Sequence, residues 1–194
     1  MRAVTEDDKK IAKTVLSAFK GGSPVVRNYF NDSHDVSVDI LSVVGTPDVD
    51  ISSYGTIGLS DYPMLECGKK NPTRLELCGA ALSSFTLFPN ILSEAAFTII
   101  KSSEVWRPGH FLKNIVGHYE LESSLRSLYF TTPFFWEEDL HELNLNGKAI
   151  NWLMCFPISD AELGYLEKYG EAQFENMLEA AGVNVFDTSR SSCV

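Results

Sequence analysis

The densest group of side chains able to do acid–base chemistry is one short run, Glu137, Glu138, Asp139, His141 and Glu142, directly after the aromatic triplet Phe134-Phe135-Trp136. Neighbouring carboxylates can share a proton, one of them with a raised pKa, and so act as acid and base. Consecutive residues point in different directions, however, and catalysis needs groups that converge. In an exposed connection the run reads more simply as a solvated acidic edge or a contact surface for a basic partner. His110 and His118 stand eight apart in a stretch that reads as a strand, which would put both on one face. A metal would need more ligands, and no carboxylate is placed to complete the set. Ser60, in Gly58-Leu59-Ser60-Asp61, lacks the second glycine of G-x-S-x-G and fits a strand-ending turn. Neither G-x-x-x-x-G-K-[ST] nor G-x-G-x-x-G occurs, so the dedicated phosphate cradles are missing. No catalytic residue, cofactor or metal site is expected.

The elements around that acidic run are set out by pattern. Residues 149–166 read A-I-N-W-L-M-C-F-P-I-S-D-A-E-L-G-Y-L. Ile150 to Phe156 is apolar on both faces apart from Asn151, as in a strand from the middle of a sheet. Pro157 cannot donate to a ladder and is expected to end the strand. Ser159 with Glu162 makes a capping box for a helix from Asp160 to Lys168, and a second helix follows from Glu171 to Ala181. Leu143 to Asn146 is a turn entrance to the central strand.

Upstream, Thr5 caps a first helix that carries Glu6, Asp7 and Asp8 in its first turn and ends at Gly21-Gly22. Pro24–Phe30, Asp35–Val44, Ile51–Leu59 and Arg74–Ala81 read as strands; in the last, Leu75 and Leu77 alternate with Arg74, Glu76 and Cys78. Pro89–Lys101 has the spacing of a helix packed on the sheet. His110–Tyr119 and Ser127–Thr132 read as two further strands, and the tail after Gly182 as a short strand and an end. Helices are inserted among strands rather than strictly alternating with them. The expected fold class is α+β: one domain over residues 1–194, with a twisted, mostly antiparallel (mixed) central sheet and helices packed on it.

With 194 residues, 44% hydrophobic and 11% aromatic, the composition is that of a globular protein with a real core. The net charge of -10 disfavours nucleic acid and anionic membrane as partners and suits a basic one. No run approaches the ~18 apolar residues of a membrane helix, and the N-terminal residues lack the apolar core of a signal peptide. Cys67, Cys78, Cys155 and Cys193 show no C-x-x-C spacing. Reduced thiols and a cytoplasmic location are the expectation.

Several motifs in order resemble one family. They are G-L-S-D at 58–61, R-L-E-L at 74–77, Pro108-Gly109, P-F-F-W-E-E-D-L at 133–140 and W-L-M-C-F-P-I-S-D-A-E-L at 152–163. The run Y-G-E-A-Q-F-E-N-M-L-E and the tail F-D-T-S-R-S-S-C-V carry the likeness to the C-terminus. Together they resemble the suppressor-of-fused domain, bacterial single-domain branch. The resemblance implies an α+β domain that acts by binding and not by catalysis. Animal members are two-domain regulators that grip a short extended segment of a transcription factor. This chain is too short for their second domain, so none of their contact residues is carried over. Bacterial single-domain members stand beside secreted polymorphic toxins as immunity proteins or antitoxins. W-E-E-D-L and W-L-M-C-F-P-I-S are most similar to the antitoxins of LXG-type toxins with a nuclease domain.

The expectation is therefore a cytoplasmic antitoxin that binds a cognate toxin, a basic nuclease domain. Glu137, Glu138, Asp139 and Glu142 would form part of the patch, with Trp136 as an aromatic anchor. The alternative is a peptide-binding regulatory module that captures an extended segment by sheet-edge addition. An unrecognised hydrolase is the third reading, and would need a deep pocket with convergent polar groups.

Overall fold

The computed structural model describes residues 3–120 and 123–194. In chain order the elements are α1 (Glu6–Phe19), β1 (Val25–Phe30), β2 (Ser37–Val44), β3 (Ile51–Ile57), β4 (Leu65–Glu66), β5 (Lys69–Lys70) and β6 (Thr73–Leu82). They continue with α2 (Phe88–Ser102), β7 (Phe111–Leu112), β8 (Ser127–Thr131), β9 (Leu143–Leu145), β10 (Lys148–Ile158), α3 (Asp160–Tyr169) and α4 (Glu171–Ala180). Among the described residues, eight strands form one sheet in the order β1-β2-β3-β6-β10-β8-β7, with β9 also paired to β10; β4 and β5 make a separate small hairpin. β10 runs parallel to β6, and the other pairings are antiparallel. The fold is α+β around a mixed, mostly antiparallel sheet.

β10 has the central place its apolar run implies. Trp152, Met154, Phe156 and Ile158 face one core with α1, α3 and α4, while Leu153 and Cys155 face the other beneath α2. Both faces of the strand are thus covered, and there is no solvent side for alternation to show. Pro157 does not end β10, which continues to Ile158. The β6 pairing stops at Met154, whereas β8 pairs as far as Ile158. At Pro157 the strand has a neighbour on one side only, a position where a missing N–H is tolerated.

The capping residues stand where the sequence places them. Thr5 and Asp8 form one capping box and Ser159 and Glu162 another. Asn146-Gly147, both with positive φ, make the tight hairpin turn from β9 to β10, so Leu143–Leu145 is a short strand and not merely a turn entrance.

Of two expected strands, one is cut to two residues and the other is absent. Between His110 and Tyr119 only Phe111–Leu112 is strand; Asn114 takes a positive φ and Val116–His118 winds into a 3-10 turn. Ile115 and Val116 are drawn under α2 into its core instead of staying in the ladder. The tail also forms no strand. Val185 and Phe186 are buried, and the Asn184 and Asp187 side chains accept the Phe186 and Ser189 N–H groups, so local turns dominate, with the Phe186 carbonyl accepting the Leu82 N–H of β6 at 3.0 Å.

β6 holds a further departure. Its Arg74/Glu76/Cys78 face is not a solvent face, because α1 and the C-terminal helices cover one side of the sheet and α2 the other. Glu76 is 0% exposed. Its Oε1 accepts from the Gly58 and Ser60 N–H groups at 3.0 Å each and from Ser60 Oγ at 2.7 Å, and its Oε2 from Thr56 Oγ1 at 2.5 Å. Ser60 therefore ends a strand and pins a turn; it does not present a nucleophile.

Candidate partner interface

The acidic run is positioned by a turn whose inward residues are apolar. Pro133 leads into a 3-10 turn, Phe134–Trp136, and the Trp136 carbonyl then accepts the Asp139 and Leu140 N–H groups at 2.9 and 2.7 Å. Trp136, 3% exposed, packs on Phe19 of α1 with ring centroids 5.0 Å apart, and Leu140 is buried beside it. With those two side chains turned in, Glu137, Glu138, His141 and Glu142 are turned out. Asp139 is half-buried and pairs with Lys20 at 2.8 Å, just past the end of α1. The hydrogen bond that Lys20 donates to Asp139 raises the Lys20 pKa, with the Asp139 charge and that of Glu138 adding to the effect. Glu142 accepts from Asn144 and Asn151 at 3.1 and 3.3 Å.

The five residues singled out in the sequence thus divide. Glu137 and Glu138 are exposed, Glu142 is exposed but tethered, and Asp139 is engaged within the fold. Trp136 is enclosed, which makes it a positioning residue for the run in this structure. The rings that reach solvent are Phe134 and Phe135, 44% and 43% exposed. They lie against each other at 4.5 Å, and Phe135 stacks on Phe186 at 4.4 Å.

Those two rings form one wall of a groove of about 490 Å³ whose opposite wall is α4 and the turn after it. Phe156, Leu178, Val183 and Val185 make it apolar, while Glu175 and Glu179 stand on its α4 side. Glu175 Oε1 accepts from Tyr129 OH at 2.9 Å and from Thr131 Oγ1 at 2.6 Å. Burial, reinforced by the Glu175 charge, pushes the Tyr129 pKa up, so Tyr129 stays a neutral donor.

Glu171, Glu175 and Glu179 follow one another at i, i+4 and i+8 along α4. Such like-charge neighbours cost a helix roughly 0.2–0.5 kcal/mol per pair. Glu179 also sits at the C-terminal end, where the macrodipole disfavours an anion. Glu171 in the first turn suits the helix, but Glu175 and Glu179 do not stabilise it through its dipole. Its spacing is visible in E-A-Q-F-E-N-M-L-E, so the sequence held the signal, although only the structure sets it across from Phe134 and Phe135.

The other large concavity, about 800 Å³, lies between the β1–β2 hairpin and α2, and mixes Asp32, Asp35 and Glu94 with Lys101, Phe97 and Tyr119. His118 bonds Glu94 at 3.0 Å, whereas His110 lies against Trp106. The two histidines do not share a face, because the strand that would align them is broken. Among the described residues, no group of three or more His, Cys, Asp or Glu is arranged to hold a metal ion, and no helix is long and apolar enough to cross a membrane. Cys78 and Cys155 are buried free thiols, with pKa values raised by burial.

Comparison with known proteins gives one consistent grouping. Residues 34–191 match the family described as Suppressor of fused protein (SUFU). The chain is 41% identical over 191 residues to Immunity protein YqcF of Bacillus subtilis (strain 168), spanning 98% of this chain and 99% of that protein. A SUFU homologue from Neisseria gonorrhoeae FA 1090 shares the fold at a TM-score of 0.75, with 14% identity and 97% of each chain covered. Drosophila Suppressor of Fused matches at a TM-score of 0.67 and 13% identity, over 96% of this chain and 51% of that one.

Proposed function

Since this chain belongs to the suppressor of fused family, we propose that it is an immunity protein: it binds a cognate toxin and neutralises it without catalysis. The observation that carries this reading is the 41% identity to Immunity protein YqcF along nearly the whole of both chains. Residues 1–194 act in it as one binding unit. The net charge of -10 and the outward Glu137, Glu138 and Glu142 favour a basic target. A nuclease must be basic where it meets phosphate, and an acidic inhibitor can occupy that surface and speed encounter. The finer reading is a nuclease of the LXG type, met in the cytoplasm of the producing cell. Mixing the purified protein with the C-terminal domain of the toxin encoded beside its gene tests this. A stoichiometric complex and lost nuclease activity are expected; a toxin domain that elutes alone and stays active contradicts it.

A second reading has one observation in its favour. Among the described residues, β1 is a sheet edge six residues long, paired only to β2, and Val25, Val26 and Phe30 on it are exposed. An apolar strand edge of that kind can accept an extended segment. The two readings separate on what a partner presents: a folded toxin domain supports the first, an unfolded segment bound along β1 the second.

A further inference from the structure

We propose that the groove between Phe134–Phe135 and α4 is the docking slot for one particular feature of the toxin, an apolar side chain flanked by Lys or Arg. This rests on the immunity reading and specifies the surface that would do the binding. The groove, about 490 Å³, falls in the size range of clefts that enclose small apolar groups. Phe134 and Phe135 are adjacent, in ring contact and half-exposed, the kind of ring that anchors an interface centre when its surroundings exclude water. The charges on the slot have one sign. Glu175 and Glu179 are its ionisable lining residues, and no Lys or Arg is among the described residues that line it.

Glu175 receives both hydroxyl bonds, from Tyr129 and Thr131, on Oε1. Among the described residues its Oε2 takes no hydrogen bond and is left for an incoming donor. Glu137 and Glu138, two and three positions past Phe135, are exposed acids outside the groove lining. An apolar floor between carboxylates fits a cationic–apolar occupant, because an acidic segment would be repelled and an uncharged one would gain nothing from the Glu179 charge or from the open Glu175 Oε2. The β1–α2 concavity does not have this character, since Lys101 stands among its acids and its lining is more mixed.

The test uses the full chain with Phe134→Ser and Glu179→Lys combined, both at exposed positions, and Glu104→Lys, at an exposed position two residues past the end of α2, as a charge-matched control. Equal melting temperatures confirm folding. Affinity for the adjacent-gene toxin domain is expected to fall at least thirtyfold in the double variant and to stay at the wild-type value in the control. A double variant within threefold of wild type overturns the slot and leaves the immunity reading standing. Should the wild type bind no toxin, the immunity reading fails, and the slot is decided by titration with two peptides. Lys-Lys-Leu-Phe-Lys-Lys is expected to shift the amide resonances of Thr132, Val183 and Gly182, and Glu-Glu-Leu-Phe-Glu-Glu is not. No shift with the lysine peptide at millimolar concentration overturns the slot on its own.

Discussion

Two buried carboxylates explain why scattered motifs occur together in this chain. Glu76 joins R-L-E-L to G-L-S-D through its bonds to Gly58 and Ser60. Glu162, in the motif of β10 and α3, takes Arg190 of the tail on both oxygens at 2.5 and 3.0 Å, and the Cys193 N–H at 3.0 Å. Neither link could be read from spacing, since Glu76 stands where alternation puts a solvent-facing residue and Arg190 meets its partner 28 positions away. The two acids respond oppositely to pH. Burial raises the Glu76 pKa against its four donors, so its favourable contribution is complete below the ordinary carboxylate value and is lost as pH rises through the raised one. Glu76→Gln is therefore expected to gain on wild type in urea melts between pH 5 and pH 8; a gap that is constant with pH would refute this. Burial also works against the Glu162 anion, yet the bonds from Arg190, Ser159 and Cys193 outweigh it and hold its pKa low. That contribution is present above the ordinary carboxylate value and is lost on acidification through the lowered one. Arg190→Met strands a buried charge and should cost roughly 3–5 kcal/mol, while adding Glu162→Gln should recover a large part. A double variant no more stable than the single one would contradict the pairing.

At the scale of elements, β10, α2, α3 and α4 were legible because apolar runs, helical spacing and capping boxes state them locally. The broken strand after His110 and the strandless tail were not, because Ile115, Val116, Val185 and Phe186 are apolar whether they enter a ladder or a core. The F-F-W triplet carries the same ambiguity: which ring turns in is settled by Phe19 on α1, far away in sequence. Its acidic neighbours were legible as a run, but their division into outward Glu137 and Glu138 and engaged Asp139 was not. Packing between elements is close where α2 meets β6. A Cβ on Gly79 would lie 2.7 Å from the Phe88 ring and 2.8 Å from the Cys155 carbonyl of β10. A backbone atom cannot rotate aside, so Gly79→Ala is expected to destabilise by about 1–3 kcal/mol in chemical denaturation. An unchanged midpoint would mean that the sheet and α2 can separate there at little cost.

For the whole molecule, the sheet is a platform covered on both faces, and apart from a few buried carboxylates such as Glu76 and Glu162 its acidic groups are left at or near the surface. Formal charge of -10 over 194 residues acts at a distance, and its expected effect is on encounter more than on residence. The association rate with a basic toxin domain should fall roughly tenfold or more from low to ~0.5 M salt, with a much smaller change in dissociation. A rate insensitive to salt would remove charge from the account. The central claim, that this chain protects a cell from its toxin, is tested most directly by survival. Cells expressing the toxin encoded beside this gene should grow when the protein is co-expressed and die without it; equal killing in both would contradict the account.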